Sequence, residues 1–212
     1  MAWENKIQSV PSDYADHNTT FKKSIDLSHH PYFNEVYKYA DIKLARGRAF
    51  LNVKTRIDIE IQQATFISAN GIEIPIDPGL AKEINYADTT VEGIFFYKFK
   101  TGFPNIDRQN TYFFYQVLAD GRCSLLKSVY KKVKEKLVVV FSEYEREYET
   151  FEDYYLYSKG VMKKLKKDKE FFLAELNDKQ EEISRYILTN KTNFKNNEQL
   201  IGLLNYYNSL SF

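Results

Sequence analysis

From about residue 35 the apolar positions recur with a period of two. The clearest run is Arg56-Ile57-Asp58-Ile59-Glu60-Ile61-Gln62, in which three isoleucines face one way and four polar side chains the other. Such alternation predicts a half-buried antiparallel strand, because successive side chains leave opposite faces of the pleat. Ile72, Ile74 and Ile76 repeat it around Glu73, Pro75 and Asp77. Pro75 has no N–H to offer a ladder, so this segment belongs at a sheet edge. Comparable patterns predict strands over 36–45, 48–54, 64–69, 91–99, 112–118, 123–133 and 136–142. Between them stand Gly47, Asn70-Gly71, Asp120-Gly121 and Lys159-Gly160. These turn formers accept the positive φ of tight hairpins, so sequence neighbours are expected to pair as a meander.

The period changes near residue 165. Asp168 is placed to cap a helix carrying Phe171, Phe172 and Leu176, and Asp178 to open a second with Ile183, Tyr186 and Ile187. Asn196 stands three residues before Gln199, a start for a third helix with Leu200, Leu203, Leu204 and Tyr207 on one stripe. The expected fold class is α+β: a mainly antiparallel sheet, whether curved meander, half-barrel or sandwich, followed by about three short C-terminal helices. Residues 1–34 read as an irregular leader holding His17, His29 and His30. Residues 35–212 read as a single β-rich domain whose helical part spans about 168–210.

Composition narrows the function classes. Lys plus Arg total 30 against 29 for Asp plus Glu, a net charge of +1, so no nucleic-acid partner is expected. No run approaches the ~20 apolar residues of a membrane-spanning helix, and the polar residues 1–25 contain no signal-peptide core. One cysteine, Cys123, leaves no internal disulfide and no cysteine-cluster zinc site. The glycine-rich phosphate loops, the Gly-x-Ser-x-Gly elbow and the His-Glu-x-x-His helix are all absent, so neither a cofactor nor a catalytic residue is expected.

Several constellations bear on chemistry. Adjacent His29 and His30 lack the spacing that aims two imidazoles at one ion. Arg122 beside Cys123 favours a thiolate, but every histidine lies about ninety residues upstream, and a semi-buried core thiol is the default. Asp58 and Glu60 share a strand face and could serve as an acid–base pair, but they stand opposite the isoleucine face, where the solvated side of the sheet accounts for them. Glu143, Glu145, Glu147 and Glu149 recur every second residue, in the region of Lys127, Lys131, Lys132, Lys134 and Lys136. Cross-strand ion pairing explains these rows without a ligand. The Lys-rich 163–169 reads as a solvated face.

The aromatic content is the unusual feature, with 17 Tyr, 16 Phe and 1 Trp. Phe95-Phe96-Tyr97 and Tyr112-Phe113-Phe114-Tyr115 put rings on both faces of two strands. Such rings either fill a core between sheet and helices or line an apolar ligand site, for which Phe95, Tyr97 and Phe114 are the candidates.

The order of motifs carries a resemblance over roughly residues 35–210. Gly47 opens the meander, Tyr112–Leu118 turns through Asp120-Gly121 into Ser124-Leu125-Leu126-Lys127, and Tyr154-Tyr155-Leu156 precedes Lys159-Gly160. The chain closes on Asp178-Lys179, Tyr186-Ile187, Asn190-Lys191 and Tyr206-Tyr207-Asn208-Ser209-Leu210. This arrangement resembles a family of uncharacterised exported proteins from Bacteroidota-type bacteria, most specifically at its ending. The resemblance implies a mature form in the cell envelope or periplasm after signal-peptide removal, with cytoplasmic residence the alternative, and it implies no activity. The expected function is a non-enzymatic envelope protein, binding or structural, whose sheet surface meets a protein partner or a ligand. The alternatives are a carrier of a small apolar ligand held between sheet and helices, and a hydrolase with an unfamiliar carboxylate site.

Overall fold

The computed structural model describes residues 23–138 and 143–210. Outside it lie His17, most of the segment read as a leader, and the end of the strand expected over 136–142. The strands are β1 (Lys23–Ser28), β2 (Lys38–Leu44), β3 (Ala49–Asp58), β4 (Gln63–Ile67), β5 (Glu73–Pro75) and β6 (Ala81–Thr90). They continue with β7 (Gly93–Lys100), β8 (Tyr115–Ala119), β9 (Cys123–Val138), β10 (Glu143–Ser158) and β11 (Val161–Lys164). Helices α1 (Lys169–Glu175), α2 (Gln180–Asn190) and α3 (Asn197–Ser209) follow. The protein is α+β, as the two periodicities predict.

All pairing is antiparallel, along the path β1-β10-β9-β8-β7-β6-β2-β3-β4-β5, with β11 joined to β10 beyond the end of β1. Pro75 lies in β5 at the edge, where a residue without an N–H belongs. The sheet does not close, but it curls. The Ile59 carbonyl just past β3 accepts the Lys131 N–H of β9 at 3.1 Å, although β8, β7, β6 and β2 separate those strands.

Register shows which residues share a face. Phe99 lies opposite Gln116, and Gln116 opposite Lys127, so Leu125 and Val129 share the face of Phe99. On that face one apolar cluster, built on Ile42, Ile57, Ile59, Ile84, Phe99 and Phe114, fills the curl. Further along the same face the helices pack Phe172, Leu176, Ile183, Leu203, Leu204 and Tyr207 onto Cys123, Leu125 and Leu156. On the opposite face Leu126, Tyr115 and Tyr155 meet Phe103 and Phe113 of the loop between β7 and β8. Strands β8–β10 are therefore covered on both sides, which is why Leu125-Leu126 and Tyr155-Leu156 break the alternation.

Several local expectations are corrected. β3 joins two expected segments but ends at Asp58, so Ile61 is 63% exposed rather than inward. The cause is Asp58 itself, whose Oδ1 accepts the N–H of Glu60 and Ile61 at 2.9 and 3.1 Å and turns the chain. β6 was not anticipated: Ile84 and Tyr86 are its only large buried side chains, and Glu83, Asn85 and Asp88 dilute the pattern. β1 lies within the segment read as irregular and pairs with β10. Asp168 and Asn196 cap α1 and α3, accepting the N–H of Phe171 at 2.7 Å and Gln199 at 3.2 Å. Asp178 does not cap α2. Its carboxylate instead accepts the Tyr207 hydroxyl at 3.0 Å and pairs with Arg122 at 2.9 Å.

The charged rows meet as a zipper. β9 and β10 are hydrogen-bonded along their whole described length, placing Glu149 opposite Lys132, Glu147 opposite Lys134 and Glu145 opposite Lys136. The Lys134 ammonium bonds Glu149 diagonally across the pair. Where the ribbon outruns β8, opposite charges at facing positions stabilise its register.

Candidate functional site

The three ring candidates separate. Tyr97 stacks on Tyr86 at 5.0 Å between centroids and meets Phe33 edge-on at 5.6 Å. Phe114 is buried in the same cluster, where its N–H donates to Gln62 Oε1 at 3.0 Å. The structure thus brings Tyr97 and Phe114 into one packed interior. Phe95 stands apart, 41% exposed near the tip of the β6–β7 hairpin. A recess beside this interior, lined by Asn34, Lys38, Arg56 and Tyr86 among others, holds only about 10 Å³.

Cys123 forms the floor of a larger cleft of about 230 Å³, between the β10–β11 turn and the end of α1. The walls include Leu156, Lys159, Lys163 and Glu175. The thiol is wholly buried, and burial, followed by the charges of Glu175 and Asp178, pushes its pKa up to about 12. Arg122 does not activate it, because its guanidinium is engaged by Asp178. This is a core thiol. Asp58 is a turn cap and Glu60 an exposed turn residue, so that pair forms no shared pocket.

Two polar centres went unread in the sequence because their members are distant along the chain. Lys131 is buried and donates to Ser28 Oγ at 2.6 Å and to the carbonyls of His30 and Tyr32 at 2.9 and 3.0 Å. These bonds pin the segment after β1 against β9. Burial, then the Lys131 charge, lowers the pKa of the His30 imidazole. On the opposite face Tyr155 donates to Asp107 at 2.9 Å, and Lys164 lies 3.6 Å from Asp107 and 3.1 Å from Asp153. Burial, then the nearby Asp153 charge, raises the Tyr155 pKa, so it is no base at neutral pH. Both carboxylates are matched to a lysine, which suits a structural network. Among the described residues no three His, Cys, Asp or Glu side chains gather to hold a metal.

The exposed apolar surface is more singular. The β6–β7 hairpin carries Val91, fully exposed, with Ile94 at 61% and Phe96 at 83%. Register sets Phe96 opposite Ala87 on the outer face, and Tyr39, the residue before the Ala40 that faces Tyr86, shares that face. Lys54 lies over the Tyr39 ring, 5.7 Å from its centroid. The same hairpin borders a split in the sheet. β8 pairs with β7 only at Phe99 and Lys100, then departs with β9 through a register shift between Val117 and Ala119. Asp120 spans the end of the split, its Oδ2 taking the ammonium groups of Lys98 and Lys100 at 2.8 and 2.7 Å. Burial opposes its ionisation, but those hydrogen bonds prevail and lower its pKa.

Against models of protein families, curated proteins and solved structures, the chain has no match.

Proposed function

We propose that this chain is a non-enzymatic binding protein of the cell envelope that engages a polypeptide partner through the sheet surface around the β6–β7 hairpin. The observation that carries the reading is the exposure of Val91, Ile94, Phe95 and Phe96 on one hydrogen-bonded hairpin. Isolated apolar side chains on a surface need no explanation, but Ile94 and Phe96 exposed together on one face of a paired strand, with Phe95 exposed on the other, cost solubility and mark a contact surface. The buried thiol and the lysine-matched carboxylates support a non-catalytic role. The envelope assignment rests on the resemblance to exported proteins.

The test compares capture from an envelope fraction of the source cell by wild-type protein and by the Ile94→Lys/Phe96→Lys double variant. Proteins retained by the wild type and lost by the variant, with unchanged circular dichroism, support the reading. Identical retention overturns it. Detection of a stoichiometric co-purified lipid by native mass spectrometry would instead favour an apolar-ligand carrier.

A further inference from the structure

We propose that the partner of the hairpin is a second copy of this chain, added antiparallel to the free edge of β7 about a two-fold axis at Phe95. The proposal rests on the reading of the hairpin as a binding surface and names its occupant. β6 pairs with β7 from Thr90↔Gly93 to Glu83↔Lys100, without a bulge. On its other side β7 meets β8 only at Phe99↔Gln116 and Lys100↔Tyr115. From Gly93 to Tyr97 that edge has no ladder partner among the described residues, while Lys98, next to the Phe99↔Gln116 pair, borders β8. Every second peptide there points its N–H and C=O outward, a template for another strand. The devices that normally blunt such an edge are scarce: the segment has no proline, and its charges, Glu92 and Lys98, stand only at its two ends.

The sequence of the edge selects the occupant and the register. A two-fold axis perpendicular to the sheet keeps each side chain on its own face, so only registers centred on a residue are allowed. Centred on Phe95, Ile94 lies opposite the second copy's Phe96, Gly93 opposite its Tyr97, and Glu92 opposite its Lys98. Apolar groups meet apolar groups, a ring covers the glycine, and at each end Glu92 of one copy joins Asp120 of the other, which takes the two ammonium groups of Lys98 and Lys100. Centred on Phe96, Lys98 lies against Ile94, and Glu92 against Lys100, whose edge β8 already occupies. Charge complementarity therefore favours Phe95. A net charge of +1 leaves little repulsion between copies.

The experiment combines sedimentation equilibrium with disulfide trapping on the full chain. Cys123 is wholly buried and stays silent. Directly opposed residues of an antiparallel pair lie close enough for a disulfide. The expected results are a concentration-dependent dimer, rapid cross-linking of Phe95→Cys with itself, and cross-linking of Ile94→Cys mixed with Phe96→Cys. The Ile94→Lys/Phe96→Lys variant, folded by circular dichroism, raises the dimer dissociation constant at least tenfold. A dimer unaffected by that variant overturns the proposal, as does trapping of Phe96→Cys alone in place of Phe95→Cys. A monomer at every concentration also overturns it, and the capture comparison then separates the two readings. Partners lost by the double variant leave the binding surface standing without self-pairing, whereas identical capture removes both.

Discussion

Asn208, near the end of α3, clasps the first residue of β9. Its Oδ1 accepts the Cys123 N–H at 3.0 Å and its Nδ2 donates to the Cys123 carbonyl at 2.9 Å. A Cβ on Gly121 would stand 2.5 Å from the Asn208 Cγ, so the glycine leaves room for the clasp. Asn208→Leu keeps the volume and the helix but removes both bonds. Each orphaned buried backbone group costs about 1–3 kcal/mol, and water reaching the neighbouring exposed turn recovers part of that, leaving an expected loss of about 2–3 kcal/mol. For a chain of this size that lowers Tm by about 4–12 °C. Asn208→Asp keeps the acceptor for the N–H but sets a carboxylate against the Cys123 carbonyl. It therefore destabilises at pH 7 and regains stability relative to Asn208→Leu once acid protonates the carboxyl and restores a donor. Urea unfolding followed by circular dichroism reads both effects. A Leu variant within 0.5 kcal/mol of wild type refutes the clasp as a source of stability.

Three further outcomes follow from the geometry. Iodoacetamide at pH 8 modifies native Cys123 at least a thousandfold more slowly than free cysteine, since its pKa is pushed up to about 12 and no surface is open to reagent; rapid native labelling contradicts this. Reversing one partner of the zipper, Lys134→Glu or Glu149→Lys, destabilises by about 0.2–1 kcal/mol, and the double reversal restores most of the loss; additive penalties in the cycle contradict cross-strand pairing. The folded pKa of His30 is lowered from 6.5, so the unfolded chain takes up its proton first as pH falls. Its contribution is full above 6.5 and declines below that value until the folded pKa is passed, and His30→Gln flattens that part of the stability profile.

The fold class was legible because two simple periods dominate: inward isoleucines in the strands, and Leu200, Leu203, Leu204 and Tyr207 along α3. The edge placement of β5 followed from one missing N–H at Pro75. β6 escaped because half its inward positions are small or polar, and Ile61 misled because one carboxylate, Asp58, ends the strand that its neighbours continue in pattern. Of the ligand candidates, Tyr97 and Phe114 share an interior while Phe95 reaches the surface. A single sequence shows that rings alternate on a strand, but not which end of that strand has neighbours. The split between β7 and β8 depends on a register shift at Val117–Ala119, a tertiary feature with no local signature. Lys131 and the Asp107–Tyr155 contact bridge residues far apart in sequence, beyond the reach of any spacing rule.

The central claim is that the β7 edge from Gly93 to Tyr97 is the binding surface. Residue-resolved amide exchange tests it most directly. In dilute protein, every second amide along Gly93–Tyr97 should exchange without protection while the amides of Ile42 and Ile84 remain slow. On raising the concentration, those edge amides should slow at least tenfold, with the core amides unchanged. Edge amides that are already protected in the dilute monomer, or that remain fast at every concentration, would contradict the account.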